Sequence, residues 1–340
     1  MLLILGGAFL YRRYLDHNAI VSHPHYDKHH GWKYDQVLFD SDEKILQQLH
    51  KMEKHNGPDV EKPVLWIHVE REWNARLWSH FFERGSYDTN QPYLYLTIKS
   101  IVDKCGDHFN VAIIDDDSFG TILPNWKVDM HSLGDGDPIK THMRQLGIAQ
   151  LLHKYGGMTI PPSTICLKNL IHLHSTHLKE SNTMYVAEFP NDSHYRFPVT
   201  SMDGYQRFKI STHIMGCRAK SQSMLHYIRF LELQHANDNS SESEFMDKMN
   251  AFCMQLYEHG KLQVIDGRMI GTRTKKNKVV SVHELMSDTY IPFDLSQLQC
   301  IYVPYKEILA MPKYSWFAYL SVQDVQNSDT MIGKWLVKAE

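Results

Sequence analysis

No stretch of this 340-residue sequence carries the run of about 20 apolar residues that a helix needs to cross a bilayer. Basic tracts are equally missing. Lys and Arg number 36 against 39 Asp and Glu, a formal net charge of −3, so there is no field to attract nucleic acid, and no nucleic-acid partner is expected. The densest basic patch, Lys275-Lys276-Asn277-Lys278, precedes Val279-Val280-Ser281-Val282 and reads as a solvated turn between two strands. The five cysteines, Cys105, Cys166, Cys217, Cys253 and Cys300, include no Cys-x-x-Cys pair. Neither a zinc site nor a disulfide framework is indicated, and buried free thiols in a reducing compartment are expected. Two Asn-x-Ser sequons, at Asn191 and Asn239, matter only for a luminal domain. A Gly-x-x-x-x-Gly-Lys phosphate loop, a Gly-x-Ser-x-Gly elbow, a dinucleotide fingerprint and a His-Glu-x-x-His pair are all missing.

What the chain does have is 43% apolar residues, enough to bury a large core in one α/β domain with elaborations. The extreme N-terminus, residues 1–11, is apolar and is followed by Arg12-Arg13. At about half the spanning length it reads either as a short anchor or as a buried strand or helix. As an anchor it would leave the following domain facing the cytoplasm, because basic residues stay on that side. Residues 12–35 are rich in histidine (His17, His23, His25, His29, His30). With no Cys, Asp or Glu at closed-site spacing, a solvated linker outweighs a metal site there.

Periodicity organises the rest. Helical spacing covers residues 45–53 and 92–105, and two short apolar runs, 63–69 and 109–114, read as buried strands. The second run ends in Asp115-Asp116-Asp117. Further strands are expected at 183–188 and 208–216, and helices at 221–234, capped by Ser223 or an earlier serine, and at 245–257. Residues 264–271 and 279–282 read as an antiparallel pair around the Lys-rich turn. Alternating strands and helices predict a mostly parallel sheet with helices on both faces, plus a smaller α+β C-terminal extension. Ligands of such sheets sit beyond the carboxyl ends of the strands, where the aspartates fall.

The segment Arg144-Gln145-Leu146-Gly147-Ile148-Ala149-Gln150-Leu151-Leu152-His153-Lys154-Tyr155-Gly156-Gly157 reads as a helix stopped by two glycines that can adopt positive φ, after which Met158-Thr159-Ile160 turns into a strand. Leu152 to Gly157 resembles a segment of the sugar-nucleotide transferases of the capsular polysaccharide synthesis and glycosyltransferase family 32 types, which have the GT-A fold. There the glycines are followed by an acidic pair that holds a divalent cation; here those positions are Pro161 and Ser163. Proline offers no donor atom to Mg²⁺ or Mn²⁺, which favour anionic oxygen ligands.

The resemblance implies a protein that moves a hexose from a nucleotide sugar to a glycan or other acceptor, with Mn or Mg as cofactor if active, and with that activity lost if Pro161 and Ser163 leave the metal unheld. Asp115 and Asp117 have the acidic-x-acidic spelling and are the remaining candidate metal ligands. Arg144 is a candidate diphosphate donor. Tyr155, Gly156 and Gly157 would complete a donor pocket that shares one crevice with the aspartates. Glu188 is the candidate base or nucleophile. The structural alternative to each is a capping aspartate, an ion-paired arginine and an exposed carboxylate at a strand end.

The Asp-Asp-Asp-Ser-Phe stretch and Tyr-Gly-Gly-Met followed by prolines are also similar to proteins of large DNA viruses. That likeness implies a non-catalytic structural protein, a capsid or membrane-associated component carried in a virion. Four segments follow: 1–11, the linker and helix 12–60, the transferase-type domain 61–235, and the C-terminal extension 236–340.

Overall fold

The computed structural model describes residues 26–27, 31–32, 42–54, 62–70, 93–133, 138–178, 182–190, 208–237 and 242–340. The N-terminal apolar run, both sequons and most of the histidine-rich segment lie outside these residues. Within that segment a two-residue ladder pairs β1 (Tyr26–Asp27) with β2 (Gly31–Trp32).

The remaining elements follow in order: α1 (Asp42–Lys54), β3 (Val64–His68), α2 (Leu94–Cys105), β4 (Asn110–Ile114), α3 (Ser118–Ile122), α4 (Pro138–Tyr155), β5 (Gly157–Thr159), β6 (Thr164–Cys166) and α5 (Ile171–Thr176). After these come β7 (Met184–Pro190), β8 (Phe208–Cys217), α6 (Gln222–Asn237), α7 (Glu242–Glu258), β9 (Leu262–Ile265), α8 (Val282–Leu285), β10 (Cys300–Tyr302), α9 (Tyr305–Ala310), α10 (Val322–Gln326) and α11 (Met331–Ala339).

Six strands form one sheet in the order β4-β3-β5-β8-β7-β9. The pairings of β3 with β4, β3 with β5, and β7 with β9 are parallel, and only β8 runs against its neighbours. This is the mostly parallel α/β sheet that the alternation of elements predicts.

A strand covered on both faces has apolar residues at every position, and β3 is buried from end to end. Val64 and Trp66 face a core shared with α1, α3, α4, α6 and α7. Leu65 and Ile67 face the opposite core, shared with α2 and α5. A third core joins Tyr93, Leu94 and Leu96 to residues of the C-terminal region from Val280 to Ala339. A two-stranded ladder of β6 and β10 bridges the two regions.

Two local expectations change. Residues of β9 pair with β7 in parallel instead of with 279–282, so β9, assigned by the sequence to the C-terminal extension, belongs to the main sheet. Only one bridge, Arg273 to Val279, closes the Lys-rich turn. Val282 starts a helix instead of continuing a strand, because Ser281 and Glu284 form a capping box at its N-terminus. The serine at the start of α6 is Ser221, whose Oγ accepts from the Met224 N–H, while Ser223 Oγ donates to the carbonyls of Asn182 and Lys261.

Candidate functional site

The carboxyl ends of β3, β4 and β5 bring His68 and Glu70, Asp115 to Asp117, and Pro161 to Ser163 to one edge of the sheet. On the face that carries Trp66, α4 supplies Lys140 and Arg144 to the same edge. The centre of the arrangement is Asp116. Its Oδ1 lies 3.0 Å from His68 Nε2 and accepts from Arg144 Nε at 2.9 Å, while Oδ2 accepts from Arg144 Nη2 at 2.8 Å. Lys140 Nζ stands 3.8 Å from Oδ2. His68 is held flat against Phe119, ring centroids 5.3 Å apart. Burial opposes a charge on Asp116, but the hydrogen bonds from His68 and Arg144 outweigh it and hold the carboxyl well below the usual carboxylate range.

Arg144 also reaches Glu70, with Nη1 3.3 Å from Oε2, and Lys306 of α9 reaches the other oxygen of Glu70 at 3.2 Å. Burial again works against the charge on Glu70, and Lys306, Arg144 and His68 overcome it and lower its pKa. The result is an interlocked set in which two carboxylates are clamped by Lys140 and Arg144 of α4, Lys306 of α9 and the His68 imidazole. Paired in this way, the carboxylates are directed at protein cations.

The two aspartates singled out by their spacing have other partners. Asp115 closes its own turn: Oδ1 accepts from the Asp117 and Ser118 N–H groups at 3.1 and 3.2 Å and from Ser118 Oγ at 3.1 Å. Asp117 is exposed and lies 2.6 Å from His131 Nε2. The capping alternative describes Asp115, and the central residue of the triplet, which the spacing rule skips, is the one in the cluster. Its signal in the sequence was the apolar strand before it; nothing local marked its partners.

Pro161, Pro162 and Ser163 follow β5 at the same edge and are buried. Thr97 Oγ1 donates to the Pro162 carbonyl at 2.6 Å, and the Val303 N–H donates to the Ser163 carbonyl at 2.8 Å. Together α2 and the C-terminal region therefore cover Pro162 and Ser163.

The twin glycines lie at the other end of the strands, which overturns the shared crevice expected from the sequence. Gly157 sits against Val64, the first residue of β3, whereas His68 and Ile114 pair at the last. Four residues at about 3.3 Å each separate those edges by roughly 13 Å. Gly156 and Gly157 have φ of +72° and +97°, and the Gly156 carbonyl accepts from Trp66 Nε1 at 3.1 Å. Tyr155 donates its hydroxyl to the Ile122 carbonyl at 3.2 Å. These three residues form the helix-to-strand corner at the amino edge, not a wall of the crevice at the carboxyl edge.

Glu188 is at the carboxyl end of β7. Its Oε2 accepts from the Gly267 N–H and its Oε1 from Arg273 Nη2, both at 2.9 Å, and Thr272 Oγ1 donates to its carbonyl. Arg273 in turn lies over the Phe208 ring, 3.9 Å from its centroid. Both carboxylate oxygens are thus committed to a clamp between β7 and the loop after β9. In that geometry Glu188 ties β7 to the loop after β9.

Among the described residues, no group of three or more His, Cys, Asp or Glu is disposed to hold a metal ion. Nor is any described helix long and apolar enough to cross a membrane.

No protein-family model matches the chain, and no curated protein matches it. Similar solved structures include the galactosyltransferase LgtC in complex with donor and acceptor sugar analogues, at 11% identity and TM-score 0.33, covering 61% of this chain and 75% of that one. The PaToxG glycosyltransferase gives 11% identity and TM-score 0.33 over 67% of this chain and 77% of its own. The glycosyltransferase GlyE of Streptococcus pneumoniae TIGR4 gives 8% identity and TM-score 0.35 over 82% and 64%. Likeness at this level assigns neither residues nor substrate.

Proposed function

We propose that this protein is a glycosyltransferase-like protein that has given up metal-dependent transfer of a hexose from a nucleotide sugar and serves as a non-catalytic binding or structural component. The observation that carries this reading is the engagement of Asp116 by His68 and Arg144, which commits the central carboxylate of the acidic triplet to protein groups. Two further facts support it. Asp115 is used by its own turn, and Ser163, at the position of the expected second acid, is fully buried behind Val303. A divalent ion bridging a diphosphate needs anionic oxygens that face the ligand.

Calorimetric titration with UDP- and GDP-hexoses, with and without Mn²⁺ or Mg²⁺, together with an assay for release of free hexose or its transfer to a glycan, tests the proposal. The expected result is no metal-dependent binding and no turnover. Mn²⁺-dependent turnover that Asp115→Asn or Asp117→Asn abolishes would restore those two residues as ligands and overturn the reading. The more specific structural role, beside a membrane or in a viral capsid, is supported by sequence resemblance only; co-sedimentation of the full chain with liposomes or particles checks it.

A further inference from the structure

Three of the five cysteines gather at one place that the crevice does not use. Cys105 ends α2, Cys166 ends β6, and Cys300 begins β10. The Sγ atoms of Cys105 and Cys166 are 3.8 Å apart, and Cys300 stands directly across the ladder from Cys166. All three are buried in the core beneath the α2 face of the sheet. Cys217 and Cys253 belong to the core on the other face.

The surroundings hold this cluster in register. Ser100 Oγ accepts from the Cys166 N–H at 2.9 Å, and Thr97 on the same helix is tied to the Pro162 carbonyl, so α2 and β6 are pinned on both sides of the sulfurs. Cys166 Sγ is 3.1 Å from the Lys168 carbonyl, to which its thiol donates. The thiols also differ in acidity. When Cys166 turns its thiol from the Lys168 carbonyl to Cys105, that hydrogen bond lowers the Cys105 pKa, whereas burial raises that of Cys300 and pushes Cys253 up to about 12. The thiolate is the nucleophile in disulfide exchange, so Cys105 is the attacking sulfur.

We propose that Cys105, Cys166 and Cys300 form a redox site in which Cys105 and Cys166 close a disulfide that fastens α2 to the β6–β10 ladder, with Cys300 as the thiol that exchanges with Cys166. The sulfurs need to approach from 3.8 Å to a bond length of about 2.05 Å. The oxidant is a small disulfide. Cys105 thiolate attacks one of its sulfurs and expels one thiolate; Cys166 then attacks the mixed disulfide on the Cys105 sulfur and expels the second. One small disulfide and two protein thiols give one protein disulfide and two small thiols, so the two electrons lost by the protein reduce the reagent. Because the sulfurs are buried, exchange proceeds during folding or through opening of the seam between α2 and β6, and both formation and reversal are slow.

The junction is where this bond would matter. The same seam joins the core of the main sheet to the C-terminal core, which packs on Leu94 and Leu96 of α2 and on Ile165 of β6. Oxidation would fix α2 to β6, the two elements on which the C-terminal core packs, and reduction would leave them joined by packing and by the Ser100 and Thr97 hydrogen bonds.

The test is incubation of the full chain with oxidised glutathione, both native and during refolding from urea, followed by peptide mapping without reductant. A predominant Cys105–Cys166 linkage with a minor Cys166–Cys300 isomer is expected, with a melting temperature raised by several degrees, as closing a loop of this length implies, and reversed by dithiothreitol. Cys217→Ala and Cys253→Ala should leave the linkage intact, and Cys105→Ala should abolish it. Cys300→Ala should keep the bond and remove the minor Cys166–Cys300 isomer. Five free thiols after refolding in the glutathione buffer, pairing spread over all five cysteines, or an oxidised form that melts lower than the reduced one would each overturn the proposal. Mapping the unaltered chain decides the matter even if an alanine variant fails to fold.

Discussion

Arg144 and Asp116 meet side-on, Nε to Oδ1 at 2.9 Å and Nη2 to Oδ2 at 2.8 Å, with Arg144 only 5% exposed. A paired guanidinium and carboxylate is strong in this geometry, and each group is costly to leave alone once buried.

Asp116→Asn is therefore expected to lower stability by about 3 kcal/mol at pH 7, since Arg144 would retain Glu70 but lose its bidentate partner. The folded-state pKa of Asp116 is depressed, so its contribution is present above the unfolded carboxylate value of about 3.9 and is lost as pH falls through the folded value. Urea denaturation at several pH values should show the gap between wild type and Asp116→Asn closing below about pH 4. A gap that stays constant into strong acid would contradict the ion-pair account.

His174 gives the opposite kind of handle, a base kept neutral. It is 5% exposed, and its Nδ1 shares a 2.6 Å hydrogen bond with the Tyr185 hydroxyl. Burial first, then Arg218 and His177, lower its pKa to about 4. An unfolded histidine titrates near 6.5, so between about pH 6.5 and 4 the unfolded chain takes up a proton that the folded one refuses, and stability falls with pH across that window by about 3 kcal/mol. His174→Gln keeps a polar partner for Tyr185 and should flatten the decline. Equal slopes for the two proteins would show that other groups govern this range.

At the amino edge, Gly157 has φ of +97°, and a Cβ there would lie 2.1 Å from the Val64 carbonyl oxygen. Gly157→Ala should cost on the order of 4 kcal/mol, because positive φ and overpacking both penalise it. By contrast Gly260→Ala, whose Cβ would meet nothing within 4 Å, carries only the φ penalty of roughly 1 kcal/mol. Comparable thermal shifts for the two variants would argue against the close approach of β5 to β3.

The fold was largely legible because its signals are local. The apolar runs at 63–69 and 109–114 become β3 and β4, and the helical stripe that stops at Gly156 becomes α4. Residues 264–271 were misread because a short apolar segment does not state its partner. Val264 looks the same whether it pairs with a neighbour in sequence or with Val186, as it does. The candidate site was less legible. The acidic triplet was evident, but spacing favoured Asp115 and Asp117, and choosing Asp116 required knowing that His68 and Arg144 stand beside it.

By itself the sequence determined what neighbouring residues can settle: the alternation of strand and helix, the glycine corner after Tyr155, and the replacement of an acidic pair by Pro161 and Ser163. Only the tertiary structure decided which carboxylates are spent on cations, why Glu188 is a clamp, and that three distant cysteines share one pocket of the core. Those relations join residues 28 or more positions apart. Charge pairing and thiol contact act over a few ångströms of space, and the burial that strengthens them exists only once the sheet and its helices have closed.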